Sequence, residues 1–396
     1  MLKDFIIEPK TRIIFGRGFH RSVGEQVKQY GNRCLIHHDG GAYLSELIME
    51  VRKSLLDAGV EVFELGGVLP NPRYSLVREG IEICKIENID FVLAIGGGSV
   101  MDSAKFIAFG KNADFDIWTY RSFTPYDHKI LPHGAISTLP GTGSELSAAA
   151  MILNDTLEHH VKGHFTHPSF RFDFAIINPE LSYTLPPKQT AAGAMDIISH
   201  SMEGYFSNTE NAYLLKGYME AVITSTMTNL KCALKNPTNY DARANLWIAS
   251  LMPMEHYVIS STQPDWVVHN IEKPLTTMFK GTHGVNLGIL TIAWMKYVYK
   301  RDLPQFVRWA VNIMGVKEDF YHPEVTVIEG IQRFEDFLKS VGLPTRLSEI
   351  GVTEDAFETA AELALEVAGF KGREGTIGMI SKLTFEDMLK VYALAL

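Results

Sequence analysis

The chain has 396 residues, long enough for two domains with large buried cores, and its 46 % apolar and 21 % charged content is that of an ordinary soluble protein. A net charge of −9 argues against a nucleic-acid or anionic-membrane surface, and neither a membrane-length apolar run nor a signal-peptide core is present. The three scattered cysteines, Cys34, Cys84 and Cys232, exclude a disulfide framework and a Cys-x-x-Cys motif, so a reducing cytoplasm is the expected compartment.

The first half reads as alternating strands and helices. Residues 11–15 form a strand that turns at Gly16 and Gly18 into a helix ending near 30. Strand 34–38 ends in Asp39-Gly40-Gly41, and helix 43–58, strand 60–65, helix 74–88 and strand 91–95 follow. Such alternation predicts a parallel sheet covered on both faces. Strand 91–95 runs into Gly96-Gly97-Gly98-Ser99 and then into a helix carrying Asp102 and Lys105. A buried strand, a glycine turn and a helix start make a phosphate site: glycines admit the ligand to the backbone, and free N–H groups attract an anion. Ser99 and Asp102 also fit a helix capping box, which leaves those N–H groups available.

A further strand over 135–139 leads into Pro140-Gly141-Thr142-Gly143-Ser144-Glu145. This loop should lie at the carboxyl end of the sheet, where ligands bind, although a surface turn has the same composition. Residues 149–177 predict a hairpin and a last strand over 174–177. His159, His160, His164 and His167 cluster there, but strand spacing sends them to different faces and argues against a metal site.

Beyond Pro187 the strand signals stop. Pro186 and Pro187 can open a helix reaching 205, on which Asp196 and His200 sit one turn apart. They are either an Asp–His pair or half of a divalent metal site. Further on, His269 begins a second helix, and His283 lies between Gly281 and Gly284, which suggest a loop or helix start returning to the same place. Together the four residues form a three-nitrogen, one-oxygen set suited to Zn²⁺ or Fe²⁺. Helical spacing recurs over 212–234, 240–257, 288–300, 303–315, 325–341 and 354–368, and Thr384 with Asp387 caps a last helix. The expected organisation is an α/β dinucleotide-binding domain with a Rossmann-like parallel sheet (1–185) and an all-helical, metal-binding domain (186–396). A site in the cleft between them is expected.

The spacing of Asp196, His200, His269 and His283, with the Gly-Gly-Gly-Ser-x-x-Asp-x-x-Lys run at 96–105, resembles the metal-dependent (iron-containing) alcohol dehydrogenases, of the NADH-dependent butanol dehydrogenase and aldehyde reductase types. The likeness extends from the strand at 11–15 to the last helix. It implies a dehydroquinate synthase-like architecture, one Zn²⁺ or Fe²⁺ ion on those four residues, NAD(H), a small aldehyde or alcohol substrate and a cytoplasmic homodimer. It implies also that Gly97, Gly98 and Ser99 hold the pyrophosphate beside Asp102. Thr138, Thr142 and Ser144, in a Thr-x-x-Gly-Thr-Gly-Ser-Glu segment, and Asn71 would contact the cofactor, and Lys162 would reach the nicotinamide ribose. Without the resemblance, Asn71 between two prolines is only a turn signal. Asn178 replaces the family's usual acid and reads as a local turn change.

Asp39 ends the second strand, where a carboxylate accepts from a ribose 2′-OH and repels a 2′-phosphate; this favours NAD(H), although Asp before Gly40 and Gly41 also suits a turn. The main departure comes one turn after His269. There relatives carry another His, near the nicotinamide and often assigned to proton relay, and Lys273 here occupies that catalytic position. A lysine facing the site needs an anion nearby, either Glu272 or the substrate itself. The second case suggests a short aldehyde bearing a sulfonate or carboxylate, such as sulfoacetaldehyde or a semialdehyde, with Arg171 as a second, bidentate contact. The alternatives are a neutral, butanal-type aldehyde, a dehydroquinate synthase-like cyclase, and a non-catalytic nucleotide-binding protein. The cyclases carry more basic residues in their sites, and the intact donor set argues against the last.

Overall fold

In the computed structural model, which describes residues 4–396 apart from 6, 8, 9, 121, 123, 158–160 and the side chain of 256, the apolar runs of the first half pair as one parallel sheet. The strands are β1 (Arg12–Phe15), β2 (Arg33–His38), β3 (Glu61–Leu65), β4 (Phe91–Gly96) and β5 (His133–Ser137). Then come β6 (Ala149–Asn154) and β7 (Val161–Thr166), a separate antiparallel hairpin, and β8 (Phe174–Ile177). The sheet order is β1-β8-β5-β4-β2-β3.

Strand periodicity decides what each face buries. Leu35, Val92 and Ala94 meet one apolar cluster, supplied by helices α3 (Tyr74–Ile86) and α4 (Gly98–Gly110); Cys34, Ile36 and Leu93 meet another, supplied by α1 (Val23–Val27) and α2 (Ser45–Asp57). The expected strand over 135–139 starts earlier and stops at Ser137, before Pro140, which has no N–H for a ladder. Thr138 N–H instead reaches Gly96 O at 3.2 Å, so β4 and β5 release their loops side by side.

The contacts divide the chain into two compact units, Glu8–Thr184 and Leu185–Leu396, the latter joined by the described residues among the first seven. The second unit is helical: α5 (Pro187–Tyr205), α6 (Tyr213–Lys235), α7 (Tyr240–Leu251), α8 (His256–Ser261), α9 (Val267–Phe279), α10 (His283–Val298), α11 (Leu303–Asn312), α12 (Pro323–Ser340), α13 (Phe357–Val367) and α14 (Phe385–Ala395). Pro187 opens α5, where its missing N–H is not needed. That helix is buried along nearly its whole length, because α6 and α10 pack against it.

Two helices depart furthest from the expected bounds. The helix over 240–257 breaks at Leu251 into a 3-10 turn holding Pro253, and α10 begins at His283 rather than 288. Helix α9 runs through Pro274, whose ring removes the N–H that would bond Asn270 O, and Tyr392 OH donates to Ile271 O at 2.7 Å. At α14 the capping box forms: Thr384 Oγ1 accepts from Asp387 N–H and Asp387 Oδ2 from Thr384 N–H. Among the described residues no helix is long and apolar enough to cross a membrane.

Glu335 on α12 ties three segments together. Its buried carboxylate accepts from Lys296 of α10 (2.9 Å) and Lys339 (2.9 Å), and pairs with Arg346 at 3.2 Å. Burial works against the charge, but Lys339, Lys296 and Arg346 outweigh it and hold the carboxyl down at about 2. A depressed folded-state pKa stabilises above the ordinary carboxylate range and is lost as pH falls towards 2. Glu335→Gln should therefore lower unfolding free energy by about 2 kcal/mol at neutral pH, discounted because the three cations stay partly in water. Thermal melts of both proteins should converge as the pH approaches 2.

Candidate metal centre and nucleotide loop

Three helices of the second unit bring their polar side chains to one point. Asp196 and His200 project from one face of α5, His269 from α9, and His283 is the first residue of α10. Around Asp196 Oδ1 lie His200 Nδ1 at 3.3 Å, His283 Nε2 at 3.8 Å and His269 Nε2 at 3.9 Å. Candidate donor atoms of Asp196, His200 and His269 all lie within 4.8 Å of one another. Asp196 Oδ1, His200 Nδ1 and His269 Nε2 are buried without a hydrogen-bond partner. Buried polar atoms are rarely left so, and one oxygen with nitrogens converging on a common point fits a divalent ion.

Local sequence explains the convergence. A Cβ on Gly284 would lie 2.0 Å from Ala192 O, so only glycine lets the start of α10 approach α5 closely enough for His283 to meet Asp196. The outer ring nitrogens are anchored. His269 Nδ1 lies 3.0 Å from Glu203 Oε1, and His283 Nδ1 lies 2.7 Å from Glu272 Oε2. Each carboxylate fixes a tautomer that turns Nε2 inward. Glu272, fully buried, also accepts from Thr276 Oγ1 and from Asn286 Nδ2 at 3.2 Å.

Burial pushes the His200 imidazole down to about 3, which keeps it neutral, the form that binds metal. Burial also opposes charge on Asp196, but His200, His269 and His283 together hold its carboxyl well below the usual range. Burial would lower His269, yet the Asp196 and Glu203 carboxylates outweigh it and raise the group to about 9.

Glu203 and Glu272 were not recognised from sequence as orienting residues, although one lies three residues beyond His200 and the other three beyond His269. Glu272 figured only as a counter-charge for Lys273. Its carboxylate also engages His283, Thr276 and Asn286, and Lys273 Nζ donates to Asn270 Oδ1 at 2.8 Å.

In the first unit the glycine loop opens α4 at Gly98, with Gly97 and Ser99 partly exposed. A Cβ on Gly98 would fall 2.7 Å from Thr142 Cγ2, so the two loops touch where that glycine stands. The capping box expected of Ser99 and Asp102 does not form. Asp102 turns inward and accepts from Ser144 Oγ (2.8 Å) and Met151 N–H (2.9 Å). Lys105, fully buried, donates to Ser144 Oγ (2.7 Å) and to the carbonyls of Ser144, Ala149 and Ser147 (2.8, 3.0 and 3.1 Å). Burial lowers it to about 8 against the attraction of Asp102. Asp102 and Ser144 thus hold the loop through their side chains, and the first-turn N–H groups are what α4 offers an anion.

The other predicted contacts are placed as follows. Thr138 is buried and bonded to Gly96, and Thr142 Oγ1 accepts from Ser144 N–H at 3.2 Å. Asn71 adopts φ 57° and its carbonyl accepts from Arg73. Lys162 lies on β7 opposite Leu153, and its charge helps to offset the burial of Asp102. Asp39 is engaged by its own turn, accepting from Gly41 N–H at 2.7 Å and from Tyr43 OH. Asn178 is a turn residue, its Oδ1 accepting from Glu180 N–H. Arg171 precedes β8, its carbonyl accepts from Lys10, and its charge opposes that of the buried Lys105. His164 is exposed on β7 and His167 accepts from Ser169 N–H; His159 and His160 lie outside the described residues.

Removing the carboxylate behind one inward-facing imidazole should loosen the donor set without removing a donor. Glu272→Gln should weaken Co²⁺ or Zn²⁺ binding about 10–100-fold, read by titration of the metal-free chain. Unchanged affinity would show that His283 is not oriented by Glu272.

The family model described as iron-containing alcohol dehydrogenase matches residues 9–179, and the C-terminal model of the Fe-containing alcohol dehydrogenase family matches 190–395. NADH-dependent butanol dehydrogenase A of Clostridium acetobutylicum is 36 % identical over 384 residues, covering 96 % of this chain and 97 % of that one. NADPH-dependent aldehyde reductase YqhD of Escherichia coli is 31 % identical over 359 residues, covering 89 % and 90 %. The crystal structure of NADH-dependent butanol dehydrogenase A from Thermotoga maritima superposes with a TM-score of 0.91 at 32 % identity, covering 99 % and 98 %.

Proposed function

Because the chain belongs to the iron-containing alcohol dehydrogenase family, and is an oxidoreductase of that dehydroquinate synthase-like fold, we propose that it transfers hydride between NAD(H) and a short-chain aldehyde at a centre built on Asp196, His200, His269 and His283. The observation that carries this reading is the convergence of Asp196, His200 and His269, whose inward donor atoms are buried without partners, with His283 Nε2 3.8 Å from Asp196 Oδ1. One divalent ion, Zn²⁺ or Fe²⁺, would supply a Lewis acid for the carbonyl oxygen, and NAD(H) would supply or accept the hydride. Burial keeps His200 neutral as a donor, and Glu203 and Glu272 orient the other two imidazoles. Gly97, Gly98 and Ser99 bind the pyrophosphate through the N–H groups that open α4, held in place by the Lys105–Ser144–Asp102 knot. Asn71, Thr138, Thr142 and Lys162 complete the cofactor contacts in this reading.

Asp39 supports NADH over NADPH. A carboxylate at the end of β2 repels a 2′-phosphate even while its oxygens brace Gly41 and Tyr43. The relatives include NADH-dependent butanol dehydrogenases and an NADPH-dependent aldehyde reductase, so the choice rests on this residue. Asp39→Gly should raise kcat/KM for NADPH relative to NADH, and a wild type that already prefers NADPH would overturn the assignment.

Lys273 sets the substrate charge in this reading. It stands one turn after His269 and is partly exposed. Attraction to a sulfonate or carboxylate at contact is worth roughly 1–4 kcal/mol between water-like and protein-like dielectric, enough for about a tenfold or larger preference. The test is NADH oxidation with sulfoacetaldehyde and with butanal. Wild type should favour the anionic aldehyde, and Lys273→His should abolish that preference. Preference for butanal, which the likeness to butanol dehydrogenases supports, would leave the neutral reading standing; no oxidation with any aldehyde would sink the reductase itself.

A further inference from the structure

Trp266 has its backbone in the left-handed region, at φ 54°, immediately before α9. Glycine and asparagine adopt that conformation readily; a bulky side chain rarely does, and it persists only where neighbours over-determine it. Here they do. Asp265 N–H donates to Glu203 O at 3.1 Å, and the buried Asp265 carboxylate accepts from the backbone N–H of Ile380 (2.7 Å) and Met379. On the other side Asn270 N–H donates to Trp266 O at 3.1 Å and begins the helix. With both flanks pinned, the backbone is held in that conformation. The indole stands edge-on to His269, with ring centroids 5.3 Å apart and planes at 79°, and to His200, at 6.0 Å and 73°.

The indole is partly exposed, whereas the side chains of Asp196, His200 and His269 are 6 %, 11 % and 8 % exposed. An apolar ring therefore borders two of the imidazoles that converge on Asp196. We propose that Trp266 is a specificity-determining residue, an apolar wall beside the donor cluster that admits slender, unbranched aldehydes and hinders those branched next to the carbonyl. This rests on the aldehyde-reductase reading above and names the shape of substrate that the same site accepts. It is independent of the charge read by Lys273, since a slender aldehyde can be neutral or anionic.

Two measurements test it in the full chain. In the first, Co²⁺ is titrated into the metal-free protein; it should bind wild type and Trp266→Phe alike by calorimetry, and the quench of tryptophan emission seen in wild type should be largely lost in the variant. An equal quench in both would overturn the placement of the indole. In the second, kcat/KM is compared for 2-methylpropanal and butanal. One extra methyl in a confined apolar site is worth about tenfold or more, so Trp266→Ala should raise the branched-to-linear ratio by about that factor and Trp266→Phe should largely preserve it. A ratio within about twofold of wild type in Trp266→Ala would overturn the wall while leaving the reductase intact. Should that variant not fold, Trp266→Gly relieves the backbone strain and carries the same comparison. Failure of Co²⁺ to bind wild type, or of either aldehyde to react, would remove the underlying reading and the wall with it.

Discussion

Asp196 is a carboxylate withdrawn from water and ringed by three imidazoles, and much of the helical unit exists to put it there. A buried charge is costly unless it is paired or coordinates a metal, so its surroundings have to be built to tight tolerance. Helix α5 is buried almost throughout, and α10 approaches it where Gly284 leaves no Cβ against Ala192 O. The outer nitrogens of His269 and His283 are then fixed by two further buried carboxylates, Glu203 and Glu272. The negative charge of Asp196, Glu203 and Glu272 gathered in one small volume is the kind of environment a cation would relieve.

The first unit solves a different problem by the same means. A loop that offers backbone N–H groups to an anion has to be stiff, or the entropy of ordering it would oppose binding. Lys105, wholly buried, supplies the stiffness by donating to the Ser144 hydroxyl and to three carbonyls between 144 and 149. Asp102 balances its charge at 3.8 Å and holds Ser144 and Met151. The side chains of Asp102 and Lys105 therefore act on the protein, and the first-turn N–H groups are what α4 offers an anion.

Two features of α9 are unusual for a helix carrying a functional residue. Its first turn follows a left-handed tryptophan, and its middle contains Pro274. Both conformations are unfavourable in isolation and are tolerated because packing around them is dense: Asp265 pins the entry, and Tyr392 donates to Ile271 O beside the proline. Strain of this kind concentrates where a side chain must be aimed, and α9 brings His269 to within 3.9 Å of Asp196.

What the sequence by itself determined is whatever repeats at short range. Short apolar runs alternating with helices gave the strands of the parallel sheet, 3.6-residue spacing gave the helices beyond Pro187, and Thr384 with Asp387 marked a cap that forms as read. The glycine loop was legible because strand, turn and helix start adjoin in the chain, and Asp196 with His200 because one helical turn already aligns them. Even there, Pro253 cut a helix that periodicity alone carried on to 257. What only the tertiary structure decided was everything that depends on which distant groups a side chain meets. His269 and His283 come from two further helices, and their meeting with Asp196 rests on one backbone approach at Gly284. Asp102 suits a capping box locally, yet Ser144 and Met151 offer it better partners across the fold. Glu272 neighbours Lys273 in the chain, yet its bond to His283 joins two helices. Hydrogen bonds and ion pairs act over a few ångströms, and residues that close in space can lie anywhere along the chain.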